Sequence, residues 1–142
     1  GLPYAIGAKL ARPDLPVYCV TGDSAIGFNI QELETAVRNN LPVIIFVAVD
    51  GAYGMEKTAQ QRMFGRQADW FGHDHAPVRY DQVGIAMGCH GEFVETVGDL
   101  RPALERAAAS GQPAVIHVVV DPEANVDPPG NWLWAAARSG KM

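Results

Sequence analysis

This chain is poor in cysteine, poor in charge and without a long apolar run, and each shortage excludes a class of protein. Its two cysteines, Cys19 and Cys89, each sit beside an apolar run with no CxxC spacing. That placement favours reduced, buried thiols in a cytosolic protein over a disulfide. No stretch approaches the ~20 apolar residues that cross a bilayer, and the N-terminal residues show no signal-peptide pattern, so no membrane partner is expected. Charged residues make up only 19%, and no basic cluster offsets the net charge of −5, which argues against a nucleic-acid partner. There is also no initiator Met and no polar lead-in. Gly1-Leu2-Pro3 opens directly into the apolar positions Ala5, Ile6 and Leu10, as expected of a processed piece or one part of a split protein.

What remains is a chain of 142 residues, 48% hydrophobic, which suits one globular, acidic domain with a single buried core. Apolar runs alternate with helical patterns along it. Residues 16–21 (PVYCVT) are short, β-branched and bounded by Pro13, Pro16 and Gly22, and predict a strand. Residues 29–39 place Ile30, Leu33, Ala36 and Val37 on one helical face, with Glu34 and Arg38 paired four apart. Asn40 supplies a left-handed stop and Pro42 a breaker. Residues 43–49 (VIIFVAV) are apolar throughout, the mark of a strand covered on both faces.

The polar stretch from Lys57 to Pro77 has no clear period, and its length makes it functional or mobile rather than a plain connection. A short helix is expected over 80–87 and a short strand over 91–97. A second helix is expected over 100–109, with Asp99 as N-cap, Pro102 tolerated in the first turn and Gly111 as the stop. Residues 114–120 (AVIHVVV) predict another buried strand. The domain ends near Asp121, and residues 122–142 form a tail holding Pro122, Pro128, Pro129 and the apolar Trp132-Leu133-Trp134.

Strands alternating with helices predict an α/β fold: a parallel sheet, right-handed crossovers, helices on both faces. Ligands of such sheets bind beyond the carboxyl ends of the strands. The first buried strand ends at Gly22-Asp23-Ser24-Ala25, just before a helix. Glycine lets a ligand approach the backbone, helix-start N–H groups favour an anion, and Asp23 offers a hard carboxylate suited to Mg2+ or Ca2+. The next strand ends at Asp50-Gly51-Ala52-Tyr53-Gly54, where Asp50 adds a second acid and the turn carbonyls a third oxygen. On neighbouring strands both acids share one rim. An anion cradle beside a two-acid site is what a metal-bridged diphosphate requires.

Gly22-Asp23-Ser24, the Gln31-Glu32-Leu33 helix, Asn40-Leu41-Pro42, and Asp50-Gly51-Ala52-Tyr53-Gly54 after a buried strand resemble the cofactor signature of thiamine-diphosphate enzymes. That family includes acetolactate synthases, 2-oxo acid decarboxylases, oxalyl-CoA decarboxylases and 2-hydroxyacyl-CoA lyases. Asp23 and Asp50 stand 27 positions apart, as the family pattern expects. The opening Gly-Leu-Pro segment and residues 91–94 and 100–109 fit as well, so the likeness runs to about Asp121. It implies that Asp23 and Asp50 bind the metal through their side chains and Ala52 through its carbonyl. Gly22, Ser24 and Ala25 would hold the diphosphate, with Tyr53 and Gly54 closing over it. Met55 would face the thiazolium ring and substrate, and Glu56 would handle protons; the bland alternative for Glu56 is a solvated carboxylate at a helix start.

The family usually carries Asn-Asn where this chain has Val49-Asp50. The extra charge should hold the metal more tightly and repel a metal-free diphosphate more strongly. The glutamate that activates the aminopyrimidine comes, in this family, from a different domain, usually on a neighbouring subunit, and the residue that bends the cofactor lies upstream. The resemblance therefore implies a pyrimidine-binding partner, a homo- or hetero-oligomer, and a chain not active alone. For substrate, a small 2-oxo acid and an acyl-CoA both remain open. Residues 121–126 and the Pro-Pro-Gly at 128–130 lean towards acetolactate synthases, whereas residues 91–94 and 101–106 lean towards the acyl-CoA lyases.

Other constellations have blander readings. His73-Asp74-His75 suggests zinc but, in a loop without nearby cysteine, reads as a surface pair. Cys89 and His90 read as core-edge residues, and His117 lies inside a buried strand. Trp132 and Trp134 would either cover the substrate or seek a groove on a neighbour. Gly22-Asp23-Ser24 also resembles the nucleophile block of GDS-type esterases, but no histidine follows Asp121 to activate the serine. A non-catalytic binding domain retaining the fold is the remaining alternative.

Overall fold

A computed structural model describes residues 1–65 and 72–124. Four parallel strands form one sheet in the order β1-β2-β4-β3. They are β1 (Val17–Gly22), β2 (Val43–Val49), β3 (His90–Val94) and β4 (Ala114–Val119). The helices are α1 (Leu2–Ala11), α2 (Asp23–Gly27), α3 (Glu32–Arg38), α4 (Gly54–Phe64), α5 (Tyr80–Ala86) and α6 (Val97–Ser110). A single 3-10 turn, Pro122–Ala124, follows β4.

The continuous apolar run of β2 is explained by its place between β1 and β4, with Ile45 and Val47 wholly buried on one face and Ile44 on the other. On the first face, Leu2 and Ile6 of α1, Leu33 and Ala36 of α3 and Tyr80 of α5 join Ile45, Val47 and Val115 in one core. On the second, Ala103 and Ala107 of α6 pack against Ile44, Val94 and Ile116. Each large aliphatic side chain so buried contributes about 1.5–3 kcal/mol. The three-layer α/β arrangement expected from the sequence is what forms.

Local chemistry explains the element ends. Asn40 takes φ +52°, and the Leu41 and Asn40 N–H groups close onto the carbonyls of Ala36 and Val37, a left-handed cap that ends α3. Gly111 ends α6 at φ +64°. The ammonium of Lys9, almost wholly buried, donates to the Pro13 and Leu15 carbonyls (3.1 and 2.7 Å) and fixes the turn into β1.

Four expectations about element bounds need correction. The polar stretch from Lys57 is helical as far as Phe64, because its Met, Glu, Lys, Ala, Gln and Arg residues favour a helix without making an apolar stripe; positions 66–71 lie outside the described residues. The strand read over 91–97 is β3, His90–Val94, since α6 begins at Val97. Its N-cap is Thr96, not Asp99: Asp99 sits three residues on, accepting from the Thr96 hydroxyl at 2.6 Å. The helix read over 29–39 is shorter (α3), and the separate α2 precedes it. Within the tail, Trp132 and Trp134 lie outside the described residues.

On β3, Glu92 accepts two hydrogen bonds from Arg106 of α6 (2.9 and 2.7 Å) and lies 2.7 Å from His90. The Arg106 guanidinium holds the Glu92 carboxyl below its usual range, more than burial raises it. A depressed carboxylate stabilises the fold fully above its unfolded value, about 4.3, and loses that contribution as pH falls through the lower folded value. Urea unfolding of Glu92→Gln should therefore show a shallower loss of stability below about pH 4.3 than the parent chain. Equal slopes would show that the pair contributes nothing.

Candidate functional site

Asp23 and Asp50 stand just past the carboxyl ends of β1 and β2, which are hydrogen-bonded neighbours, so both acids share one rim as the strand order requires. Asp23 is 4% exposed. Its Oδ1 accepts the Ser24 N–H at 2.7 Å and its Oδ2 the Gly51 N–H at 2.9 Å. The second bond ties the two strand ends together and needs the left-handed turn that Gly51 supplies at φ +76°. Asp50 Oδ1 accepts the Ala52 N–H at 3.1 Å. Ser24 Oγ donates to the Ala52 carbonyl at 2.9 Å, which places that carbonyl beside Asp23.

Gly22 is the N-cap of α2, and Ala25 is exposed on it. The Ser24 amide is already used by Asp23, so its hydroxyl is the group facing the turn. Tyr53 caps α4, and Gly54, Met55 and Glu56 form the first turn of that helix. Met55 and Glu56 are both exposed.

The surface-pair reading of His73 and His75 is wrong. The two backbone bonds Tyr53 N–H to His73 O (2.8 Å) and His75 N–H to Gly51 O (2.7 Å) stitch residues 73–75 onto the loop after β2. An ion pair of Lys57 with Asp74 (2.7 Å) holds the same contact from outside. His73 is consequently buried at 6%, and its Nδ1 has no hydrogen-bond partner among the described residues. His75 enters the site, with Nδ1 3.7 Å from Asp23 Oδ2, Nε2 3.5 Å from Ser24 Oγ, and its ring edge-on to Tyr53 at 4.8 Å. A signal for this was present: residues 50–80 join a strand to a helix, and such connections run over the carboxyl rim.

Tyr80 and His117 were also missed. The Tyr80 hydroxyl donates to the Asp23 carbonyl at 3.3 Å, while burial, helped by the Asp23 charge, pushes its phenol up and keeps it a donor. The Tyr80 N–H donates to His117 Nδ1 at 3.2 Å. Burial pulls the His117 imidazole down, so it remains neutral with its proton on Nε2. A cavity of about 340 Å³ opens beside these groups, walled by Val49, Pro77, Val78, Phe93 and Val119 and bordered by Asp23 and His75. Arg79 closes one side, stacked 3.8 Å over Phe93 and held bidentately by buried Asp81 (2.8 and 2.7 Å).

Among the described residues no three His, Cys, Asp or Glu side chains converge closely enough to hold a metal by themselves. The donor chemistry nevertheless suits a hard dication, with carboxylates from Asp23 and Asp50 and a carbonyl from Ala52 at adjacent strand ends. Such a cation takes its other ligands from phosphate oxygens and water.

Comparison with known proteins agrees with this architecture. The profile of the thiamine pyrophosphate enzyme C-terminal TPP-binding domain matches residues 1–118. An acetolactate synthase large subunit of Mycobacterium tuberculosis is 43% identical over 122 residues, covering 86% of this chain and 22% of that protein. A 2-hydroxyacyl-CoA lyase of Arabidopsis thaliana is 37% identical over 149 residues, covering 100% of this chain and 23% of that protein. The structure of a thiamine diphosphate-dependent 4-hydroxybenzoylformate decarboxylase of Rhodococcus jostii superposes with a TM-score of 0.78 at 29% identity, over 85% of this chain and 23% of that one. The chain thus spans under a quarter of the length of these proteins. On its fold, its strand-end motifs and these matches, it belongs to the thiamine pyrophosphate enzymes, as their C-terminal cofactor-binding domain.

Proposed function

We propose that the chain binds thiamine diphosphate through a divalent cation, Mg2+ or Ca2+, held by the Asp23 and Asp50 carboxylates and the Ala52 carbonyl. The observation that carries this reading is the Asp23–Gly51 bond of 2.9 Å, which locks the two acid-bearing strand ends to one another. The diphosphate lies against Gly22, Ser24 and Ala25, with Tyr53 and Gly54 closing over it and Met55 towards the thiazolium. When bound, the cofactor supplies a carbon nucleophile for 2-oxo groups. The chain's own residues hold its charged end, and a pyrimidine-binding domain or subunit contributes the activating glutamate. Asp23 is oriented from behind by Tyr80 and from the side by the Gly51 and Ser24 amides.

The whole protein is read as an oligomeric 2-oxo acid decarboxylase or carboligase of the acetolactate synthase kind, supported by the 43% identity to such a subunit. The second reading, a 2-hydroxyacyl-CoA lyase or oxalyl-CoA decarboxylase, is favoured by a match that runs over the full chain. A reducing, cytoplasmic setting goes with either, since Cys19 and Cys89 are both free and buried, with burial pushing the Cys89 thiol up to about 11.

Asp50, where an asparagine is usual, adds a negative charge beside the phosphates. Without a cation the site should reject the cofactor, and with one it should hold it firmly. Asp50→Asn should therefore reduce the ratio of cofactor affinity in Mg2+ to affinity in EDTA by at least about tenfold. Calorimetric titration of both full chains measures it; an unchanged ratio, or firm binding to the parent in EDTA, contradicts the cation-bridged reading.

A further inference from the structure

We propose that the cavity of about 340 Å³ on the Tyr80 side of Asp23 is a second ligand site, for a small uncharged carbonyl compound with an apolar body, held by a hydrogen bond from His117 Nε2. The site goes beyond the cation-bridged reading and does not depend on it. Strand register builds it. Val47 of β2 and Phe93 of β3 flank His117 of β4, and Val49 flanks Val119 one layer nearer the carboxyl ends, all on the face that α5 covers. The helix begins at Tyr80, whose ring lies over His117 with centroids 6.1 Å apart. Beyond that ring the Val49 and Val119 layer faces the cavity, with Pro77 and Val78 as the opposite wall.

A buried donor marks the site as one for a ligand. His117 is 4% exposed and borders the cavity. Its Nδ1 accepts the Tyr80 N–H at 3.2 Å, so the imidazole proton sits on Nε2. Among the described residues no acceptor meets that second N–H. A buried donor left without a partner is costly, and an acceptor oxygen carried in by a ligand removes the cost. Ordered water is the poorer occupant, because the apolar walls supply few of the roughly two to four partners it takes.

Size and charge set the ligand class. The volume lies at the lower end of small-molecule pockets, roughly 300–1,000 Å³, and the Phe93 ring, 4.9 Å from that of His117, suits a flat aromatic body. Of the fixed charges around the cavity, Arg79 is already paired with Asp81 through two bonds, and Asp23 is negative. Neither offsets a buried anion, so a ketone, aldehyde or ester oxygen fits where a carboxylate does not. The Tyr80 hydroxyl that holds the Asp23 carbonyl belongs to the same wall, so the ligand sits behind the turn that carries the metal-site acid.

The test titrates the full chain, in EDTA and without thiamine diphosphate, with three probes: acetophenone, α-methylstyrene, in which a CH2 replaces the carbonyl oxygen, and benzoate. Nitrogen NMR follows the His117 Nε2–H. Acetophenone should bind saturably, shift that proton, and bind at least about tenfold more tightly than either of the others. Val119→Trp, which fills the cavity from its exposed rim, should lose at least about tenfold in acetophenone affinity. His117→Phe should abolish the preference for the ketone over the hydrocarbon. Equal affinity for those two, tighter binding of benzoate, or an unshifted His117 proton in the unmodified protein overturns the assignment even if His117→Phe folds poorly. Acetophenone affinity unchanged in Val119→Trp overturns it as well. With cation and cofactor both absent, these outcomes leave the cation-bridged reading of Asp23 untouched.

Discussion

Replacing Asp23 by alanine should remove metal-dependent binding of thiamine diphosphate, lowering affinity by at least about a hundredfold. Loss of an outer partner alone typically costs 10–100-fold in metal affinity, and Asp23 is the more buried of the two acids at the strand ends. The change also strands the Ser24 and Gly51 amides, which both donate to this carboxylate. Each unsatisfied buried donor costs about 1–3 kcal/mol, so the apo chain should melt on the order of 5–10 °C lower. Asparagine does not escape that cost, because one of its two positions would set an NH2 against an N–H donor. Binding should therefore be titrated well below the lowered melting point. Wild-type affinity in folded Asp23→Ala would contradict the role of Asp23.

The second large effect lies away from the rim. Gly91 of β3 passes so close to α5 that a Cβ added there would meet the Asp81 carbonyl at 2.6 Å and Ile85 Cγ1 at 2.7 Å. The carbonyl is backbone and cannot rotate aside, so α5 must move as a unit. Gly91→Val should destabilise by about 3 kcal/mol or more, at the upper end of overpacking costs. The consequence reaches the site, because α5 begins at Tyr80, whose hydroxyl and amide hold the Asp23 carbonyl and His117. Thermal unfolding should show the loss, and hydrogen exchange should show faster opening of the Asp23 and Tyr80 amides. A melting point within about 2 °C of the parent would show that α5 is not braced in this way.

The parallel sheet was legible because β2 is apolar without interruption and β4 is apolar but for His117, which only a doubly covered strand explains. The rim acids were legible because strand ends are where such sheets bind ligands, and Asp23 and Asp50 end adjacent strands. The helix α4 was not, since Lys57, Gln60 and Gln61 favour a helix by propensity while giving no apolar face to detect. The start of α6 was misplaced by taking Asp99 for the cap, when Thr96 precedes it by three and the two side chains bond to each other. His75 was misjudged because its position depends on an antiparallel bridge between residues far apart in the chain. No local pattern encodes that pairing. Tyr80 and His117 meet across 37 positions for the same reason.

Calorimetric titration of the full chain with thiamine diphosphate and with unphosphorylated thiamine, each in Mg2+ and in EDTA, tests the central claim most directly. The account predicts saturable binding of the diphosphate form in Mg2+ alone. The titration is repeated with a pyrimidine-binding domain added, to complete the pocket. Equal binding of thiamine and its diphosphate, or no binding of either once that domain is present, would contradict it.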